Sequence, residues 1–377
     1  MSDAAAVAVA VAAWLGALAA LPVPRWLGAA FVLVALATRR PAALAVAVAA
    51  LAAGLASASW AGLAPPPSPS SIRGEAVLAS DPTPFRSSVR VDLRIHGRRV
   101  EAWASRAAAD ALRDRLAGEV VVVRGRLRAP PPEARDRLAV RHIAARLDVD
   151  AVERWRAGGA LARVANTARR VLERGAASLP AEREALLRGF LLGDDRAIPA
   201  IVEADFRAAG LSHLLAVSGS NLAFLFAVVA PLLRRFELRG RFALSLALIA
   251  FFAVLTRAEP SVLRASAMAA LACWAVYVGR PVSRLRIVAL AVTALVLVDP
   301  LLVHAVGFEL SVGACVGLVV LAAPLSRRLP GPRWLAEPLA VTLAAQLGVA
   351  PVLLATFDGM PAGRCSPTCS PSRWRRR

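Results

Sequence analysis

The sequence predicts a polytopic α-helical membrane protein of about nine transmembrane segments, carrying an external OB-fold-like β-barrel domain inserted after the third segment. Three observations predict it. Long apolar runs recur from end to end of 377 residues that are 58% hydrophobic, where soluble domains sit nearer 45–50%, and the mean hydropathy is +0.57. A Pro/Ser linker, Pro65–Ser71 (PPPSPSS), interrupts these runs and opens a polar stretch with strand-like alternation. In the second half, short arginine-rich loops separate the apolar runs at regular intervals.

Residues 1–64 contain three apolar segments, Ala4–Leu21, Val23–Thr38 and Pro41–Leu63. Arg39-Arg40 lies between the second and third, and short basic loops stay in the cytoplasm. The third segment therefore exits outward, which places residues 65–152 outside. The opening MSDAAAVAVA lacks a basic n-region, so no cleaved signal peptide is expected.

Within 65–152, Ile72–Ser80 and Ser87–Ile95 alternate apolar and polar residues as half-buried strands do. His96-Gly97-Arg98 turns the chain into Val100–Ser105, Ala107–Leu116 reads as a helix, Gly118–Leu127 (GEVVVVRGRL) as a strand, and a last strand lies within Val140–Val149. Three strands, a helix and two strands is the order of an OB-fold barrel. Such barrels hold single strands with a basic groove and stacked aromatics. Between Pro65 and Leu187 there are 23 Arg against 15 acids, an excess that a large external domain can carry because the positive-inside rule applies only to short loops. Phe85 and Trp103, with Arg124 and Arg126, are the candidate external nucleic-acid contacts; the competing reading is a solvated structural domain. Residues 153–198 form a basic helical region. Glu153–Leu179 reads as one amphipathic helix, with Leu161, Val164, Ala168, Val171 and Leu172 on one face and Arg163, Arg169, Arg170 and Arg174 flanking it. That pattern suits a membrane interface better than DNA contact.

Residues 199–360 thread by charge. Leu211–Leu233 runs inward to Arg234, Arg235, Arg239 and Arg241, and Phe242–Leu255 runs out. Ser261–Val278 returns to Arg280, Arg284 and Arg286, Ile287–Val298 runs out, Leu301–Leu325 returns to Arg327, Arg328 and Arg333, and Leu335–Phe357 leaves again. Every arginine-rich short loop lands on one side. The stretch Gly210–Pro231 carries His213, Ser218, Gly219 and Asn221 at membrane depth, where polar groups face protein or a wet path. Gly, Ser and Asn also weaken the helix there. Interhelical bonding and a substrate path are both open readings. Arg257, Glu259 and Arg264 sit at the outer end of a helix pair, and Glu309 and Gln346 are isolated polar groups in apolar helices.

The blocks Gly210–Asn221 (GLSHLLAVSGSN), Leu191–Arg196 (LLGDDR), Ser261–Ala265 (SVLRA) and Asp299–Ser311 (DPLLVHAVGFELS) resemble those of ComEC-type competence proteins. Ser220-Asn221 stands where many members of that family have Leu-His. The resemblance implies a multi-pass protein of the cytoplasmic (inner) membrane that passes single-stranded transforming DNA inward, and it is a channel rather than an enzyme. It implies single-stranded DNA, membrane lipid, other competence proteins, a cytoplasmic DNA motor and a homo-oligomer as partners. Under it, His213, Ser218, Gly219, Asn221, Arg257, Glu259, Arg264, Glu309 and Gln346 become candidates for the DNA path, with interhelical bonding the stronger reading for Glu309.

Two departures stand beside the resemblance. Many members carry a metallo-β-lactamase-like domain after the helices. Here His96, His142, His213 and His304 are scattered and no HxHxDH cluster occurs, so no metal site and no cofactor is carried over. Cys273 and Cys315 lie in apolar runs and Cys365 and Cys369 in the last segment, so the external domain has no disulfide framework. The second departure is the tail, residues 361–377, where AGRCSPTCSPSRWRRR breaks the helical pattern. It reads as a truncation or frameshift, and an inactive truncated remnant is one alternative. Others are a transporter of another polyanion or lipid-linked substrate, and a hydrolase using Ser218 or Ser220 with His213. The net charge of +20, all of it from arginine, favours an acidic partner in each transport case.

The threading is directly testable. Reporter fusions are expected to place Arg39-Arg40, Arg234–Arg241, Arg280–Arg286 and Arg327–Arg333 in the cytoplasm and Pro65–Leu187 outside. An external signal from a fusion at Arg284 would overturn it.

Overall fold

A computed structural model describes residues 2–38, 40–66, 69–194, 196–209, 219–257, 260–279 and 283–357. The chain is a helical membrane protein. It divides into two compact units, Met1–Ala58 with Pro131–Val140 and Ser283–Arg377, and Ser59–Pro130 with Arg141–Val282.

The first unit is built from α1 (Asp3–Ala19), α2 (Arg25–Thr38), α3 (Pro41–Gly62, which runs past the unit's edge), α5 (Arg135–Ala139), α12 (Arg284–Val298), α13 (Val306–Arg328) and α14 (Arg333–Phe357). Small residues set its helix packing. A Cβ at Gly16 of α1 would strike the Ala49 carbonyl of α3, and one at Gly317 of α13 would strike the Ala344 carbonyl of α14. Close backbone approach of this kind is how apolar helices gain packing where lipid removes the hydrophobic incentive. Trp14 stacks on Phe308 with ring centroids 5.4 Å apart, and Arg286 Nη2 donates to Asp3 Oδ1 at 2.7 Å.

The second unit holds a six-stranded sheet: β1 (Ser70–Leu78), β2 (Thr83–Phe85), β3 (Ser88–Ile95), β4 (Arg98–Ser105), β5 (Val120–Arg128) and β6 (Ile143–Arg156). Strand order is β1-β5-β6-β4-β3-β2, with a further β1–β3 pairing that turns the sheet back on itself. All pairs are antiparallel except β4 with β6. Alternation decides which face is dry. Val89, Val91, Leu93 and Ile95 of β3 join Val100, Ala102, Val121, Val123, Leu147 and Val149 inside, and α4 (Arg106–Arg113) adds Ala108, Ala109 and Leu112. The register between β5 and β6 shifts at Arg124/Gly125. A Cβ at Gly125 would strike the Asp148 carbonyl, so only glycine lets the strands approach there.

Beyond the sheet come α6 (Ala160–Ala176), α7 (Ala181–Leu192), α8 (Ala200–Ala208), α9 (Gly219–Leu233), α10 (Leu238–Leu255) and α11 (Pro260–Val278). Leu222 of α9, Ile249 and Phe252 of α10, and Val262 of α11 form the centre of the helical part.

The sequence expectations need three corrections. The stretch Glu153–Arg156 is strand, not helix: β6 continues through it, and the helix starts only at Ala160. The Ala-Gly-Gly run at 157–159 separates the two, and the β5 partners Val120–Val122 reach Trp155 and Arg156. A short strand, β2, was not expected; it pairs with β3 through Thr83–Arg90. Nine transmembrane segments were expected, but among the described residues only α3, α10, α13 and α14 are long and apolar enough to cross a membrane. The helices α1, α2, α9 and α11 are shorter apolar helices. At 15 residues, α12 is about 22 Å long, short of the ~30 Å hydrocarbon core.

The α13–α14 contact gives a mutation test. Gly317→Val is expected to destabilise the protein by about 1–3 kcal/mol or more, because the added carbons meet the backbone of the facing helix at Ala344 and Gly348. The check is thermal unfolding of the detergent-purified chain, with Gly307→Val as the control, since a Cβ there meets nothing.

Candidate functional site: an arginine-lined cavity beside the sheet

The cavity lies entirely within the second unit, and four short pieces of chain supply its most buried groups. The turn after β1 supplies Asp81, α6 supplies Arg169, the end of α10 supplies Leu255–Arg257, and the end of α7 supplies Leu192–Asp194. Gly193 ends α7 with φ of 70°, the left-handed conformation that glycine adopts without strain and that commonly ends helices. At the end of α10 the same role falls to Arg257, with φ of 62°. A non-glycine residue held there is strained by about 1–3 kcal/mol and persists only where its surroundings hold it.

Its side chain shows what holds it. Arg257 Nη2 lies 3.0 Å from Asp81 Oδ1, and Arg257 Nη1 donates to the Ala117 carbonyl at 3.2 Å. Arg169, with a side chain only 1% exposed, donates to Asp81 Oδ2 at 3.0 Å and to the Leu255 carbonyl at 2.8 Å. The Ala117 N–H donates to Asp81 Oδ1 at 2.7 Å. Burial pushes the Asp81 carboxyl upward, but Arg257, Arg169 and the Ala117 N–H outweigh it and hold it below the usual carboxylate range. Asp194 behaves alike. Its burial is outweighed by two bonds from Arg196, at 2.6 and 2.8 Å, and one from Arg188 at 2.7 Å, so its carboxyl is held well below the usual range.

Around these pairs is a cavity of about 160 Å³ to which Arg90, Arg141, Arg169, Arg196 and Arg257 contribute, against Asp81 and Asp194. Five guanidiniums over two carboxylates leave a formal excess of three positive charges. Planar guanidiniums match the oxygens of phosphate, so this site suits an anion of that kind. Among the described residues, no group of three or more His, Cys, Asp or Glu could hold a metal ion.

A second feature lies on the outer face of the sheet. Phe85 meets Trp103 edge-on with centroids 5.4 Å apart, and the guanidinium of Arg146 lies 4.6 Å from the centre of the Trp103 ring. Trp103 Nε1 donates to Glu101 Oε2, which fixes the ring. Phe85 is exposed and Trp103 half-buried. Arg124 and Arg126 are exposed on β5, and Arg126 lies opposite Asp148, the register partner of Trp103.

Among the described candidate path residues, only Arg257 lines the cavity. Asn221, near the start of α9, donates its amide to the Phe190 carbonyl of α7, and Arg264 is buried on α11. Gly219 opens α9. His213, Ser218 and Glu259 lie outside the described residues. Glu309, half-buried in the first turn of α13, and Gln346, exposed on α14, belong to the first unit. Sequence reasoning missed Asp81, Asp194 and Arg196 as members of a site. Asp194 and Arg196 stood in the LLGDDR block, which was their available signal. Arg169 was read as flanking a lipid-facing stripe, and the structure turns it inward with Ala165, Asn166 and Ala176, while Leu161, Val164, Val171 and Leu172 stay exposed.

A sequence profile of the competence protein family matches residues 190–364, a span that includes Asp194, Arg196, Asn221 and Arg257. The chain is also 28% identical over 181 residues to the ComE operon protein 3 of Bacillus subtilis (strain 168). These findings support a ComEC-type competence protein. The match covers 48% of this chain and 23% of that relative, so the chain spans about a quarter of its length. No solved structure matches it. The competence-family span supplies one side of the cavity, and Asp81, Arg90, Arg141 and Arg169 supply the other from outside it.

Asp81→Asn is expected to destabilise the protein by about 3–5 kcal/mol, since it leaves Arg169 buried with its charge uncompensated. Thermal unfolding measures it. The pH dependence has a definite sign. Asp81 and Asp194 have depressed folded-state pKa values, so their pairs stabilise fully above the unfolded value of about 4, and that contribution is lost as pH falls below it. Acid sensitivity below about pH 4 is expected to be weaker in Asp81→Asn than in the unaltered chain.

Proposed function

We propose that the chain conducts single-stranded transforming DNA across the cytoplasmic membrane during natural competence, as a multi-pass channel component and not as an enzyme. The observation that carries this reading is the arginine-lined cavity, whose excess of three charges sits partly within the competence-family span. The similarity to competence proteins supports DNA as the substrate, and the cavity supplies groups suited to a phosphodiester backbone.

The sheet takes the role of an external OB-type barrel in this reading. The β1–β3 pairing and the parallel β4–β6 pair support that assignment, with β2 as an added short strand. Phe85 and Trp103, flanked by Arg146, Arg124 and Arg126, provide the stacking surface and charge that a single strand needs. The shorter apolar helices complete the spans alongside the four long ones. A cytoplasmic motor, other competence proteins and a second copy of the chain are the partners this role requires.

The test is binding of a fluorescent oligothymidylate to the detergent-purified chain, read by anisotropy. Phe85→Ala with Trp103→Ala is expected to weaken binding about fivefold or more, because stacking is worth roughly 1–3 kcal/mol per base. Binding is expected to fall as salt rises, with a slope of about 0.7 per phosphate neutralised. Failure of the unaltered chain to bind even at low salt would overturn the reading.

A further inference from the structure

A second basic groove lies in the same unit, and neither Phe85 nor Trp103 lines it. It has a volume of about 340 Å³ and is lined by Arg113 at the end of α4, Arg115 just beyond it, Arg170 of α6, Arg188 of α7, and Arg196. Five arginines face Asp114 and Glu173, again a formal excess of three.

The arginines are graded by what already occupies them. Arg188 and Arg196 form the closed end, tied to Asp194, with side chains 23% and 17% exposed. Arg188 Nε is nonetheless buried with no hydrogen-bond partner among the described residues. Arg113 and Arg170 form the open end, with side chains 60% and 54% exposed. Arg170 meets Glu119 at 3.0 Å, and Arg113 has a loose contact to Asp110 at 3.5 Å. Arg115 donates its Nε to the Ala111 carbonyl, and its guanidinium sits 4.2 Å from the centre of the Trp155 ring. Trp155 is 52% exposed, so much of this indole remains open to solvent.

Charges and an exposed aromatic side by side are the two parts of a sequence-tolerant single-strand site: guanidiniums take phosphates and the ring takes a base. Arg196 lines both this groove and the cavity described above. We propose that the groove binds the phosphodiester backbone of a single strand, with a base on Trp155, and that Arg196 continues this track into the arginine-lined cavity. The proposal rests on the reading of the chain as a single-strand conduit and adds to it a second contact surface.

The experiment uses the full chain in detergent and a fluorescent oligothymidylate titrated at several salt concentrations. In Arg113→Ala with Arg115→Ala, the salt slope is expected to fall by about 1.4, two contacts at about 0.7 each, while the double lysine variant keeps the slope of the unaltered chain. Trp155→Ala is expected to weaken binding about fivefold or more with its slope unchanged. Inorganic phosphate at matched ionic strength is expected to leave the strand bound. Displacement by phosphate would show a site for a free oxyanion and overturn the assignment to a strand. An unaltered slope in the alanine variant, or unaltered affinity in Trp155→Ala, would overturn the groove while leaving the conduit reading in place. No binding by the unaltered chain would instead remove the conduit reading itself.

Discussion

The second unit depends on one largely enclosed carboxylate, its side chain 12% exposed. Asp81 sits in the turn after β1 and accepts from Arg169, Arg257 and the Ala117 N–H, so one side chain ties the sheet to α6 and to the end of α10. Each partner depends on it in turn. Arg169 is buried as a charge, and Arg257 occupies a left-handed backbone conformation at the end of a helix. Neither state is favourable alone: a buried guanidinium needs a counter-charge, and a strained non-glycine residue needs contacts that hold it.

The arrangement also explains an inverted helix. The face of α6 turned toward the protein carries Arg169 and Asn166, which bind Asp81 and the Ala117 carbonyl. Its apolar stripe, Leu161, Val164, Val171 and Leu172, is exposed instead. In a water-soluble domain such a stripe would face the core. In a membrane protein the outward direction is the apolar one, so the same amphipathic pattern is satisfied with its polar side inward.

Charge is treated differently in the two basic regions. In the cavity, Arg169, Arg196 and Arg257 are committed to carboxylates and carbonyls, so their positions are fixed before any anion arrives. Such preorganisation lowers the ordering entropy that binding otherwise loses. In the groove, Arg113 and Arg170 are largely solvated, which suits a surface that meets a polyanion through long-range attraction.

The amino-acid sequence by itself determined the membrane class, the position of the sheet after the Pro/Ser linker, and most strand positions. Those properties are local: apolar length, two-residue alternation and Pro/Gly breaks are readable along the chain. It also pointed to Arg257, Phe85 and Trp103. It did not determine where β6 ends, because Glu153–Arg156 is polar enough to read as a helix start, and only pairing with Val120–Val122 of β5 makes it strand. That extension is also what places Trp155 beside Arg115. The tertiary structure alone decided which face of α6 is buried and which of the many arginines are paired. Asp81 and Arg169 are 88 residues apart, and Asp81 and Arg257 are 176 apart. With 46 arginines and no lysine in a chain of net charge +20, composition could not single out three of them, because an ion pair depends on distance in space and no periodicity along the sequence encodes it.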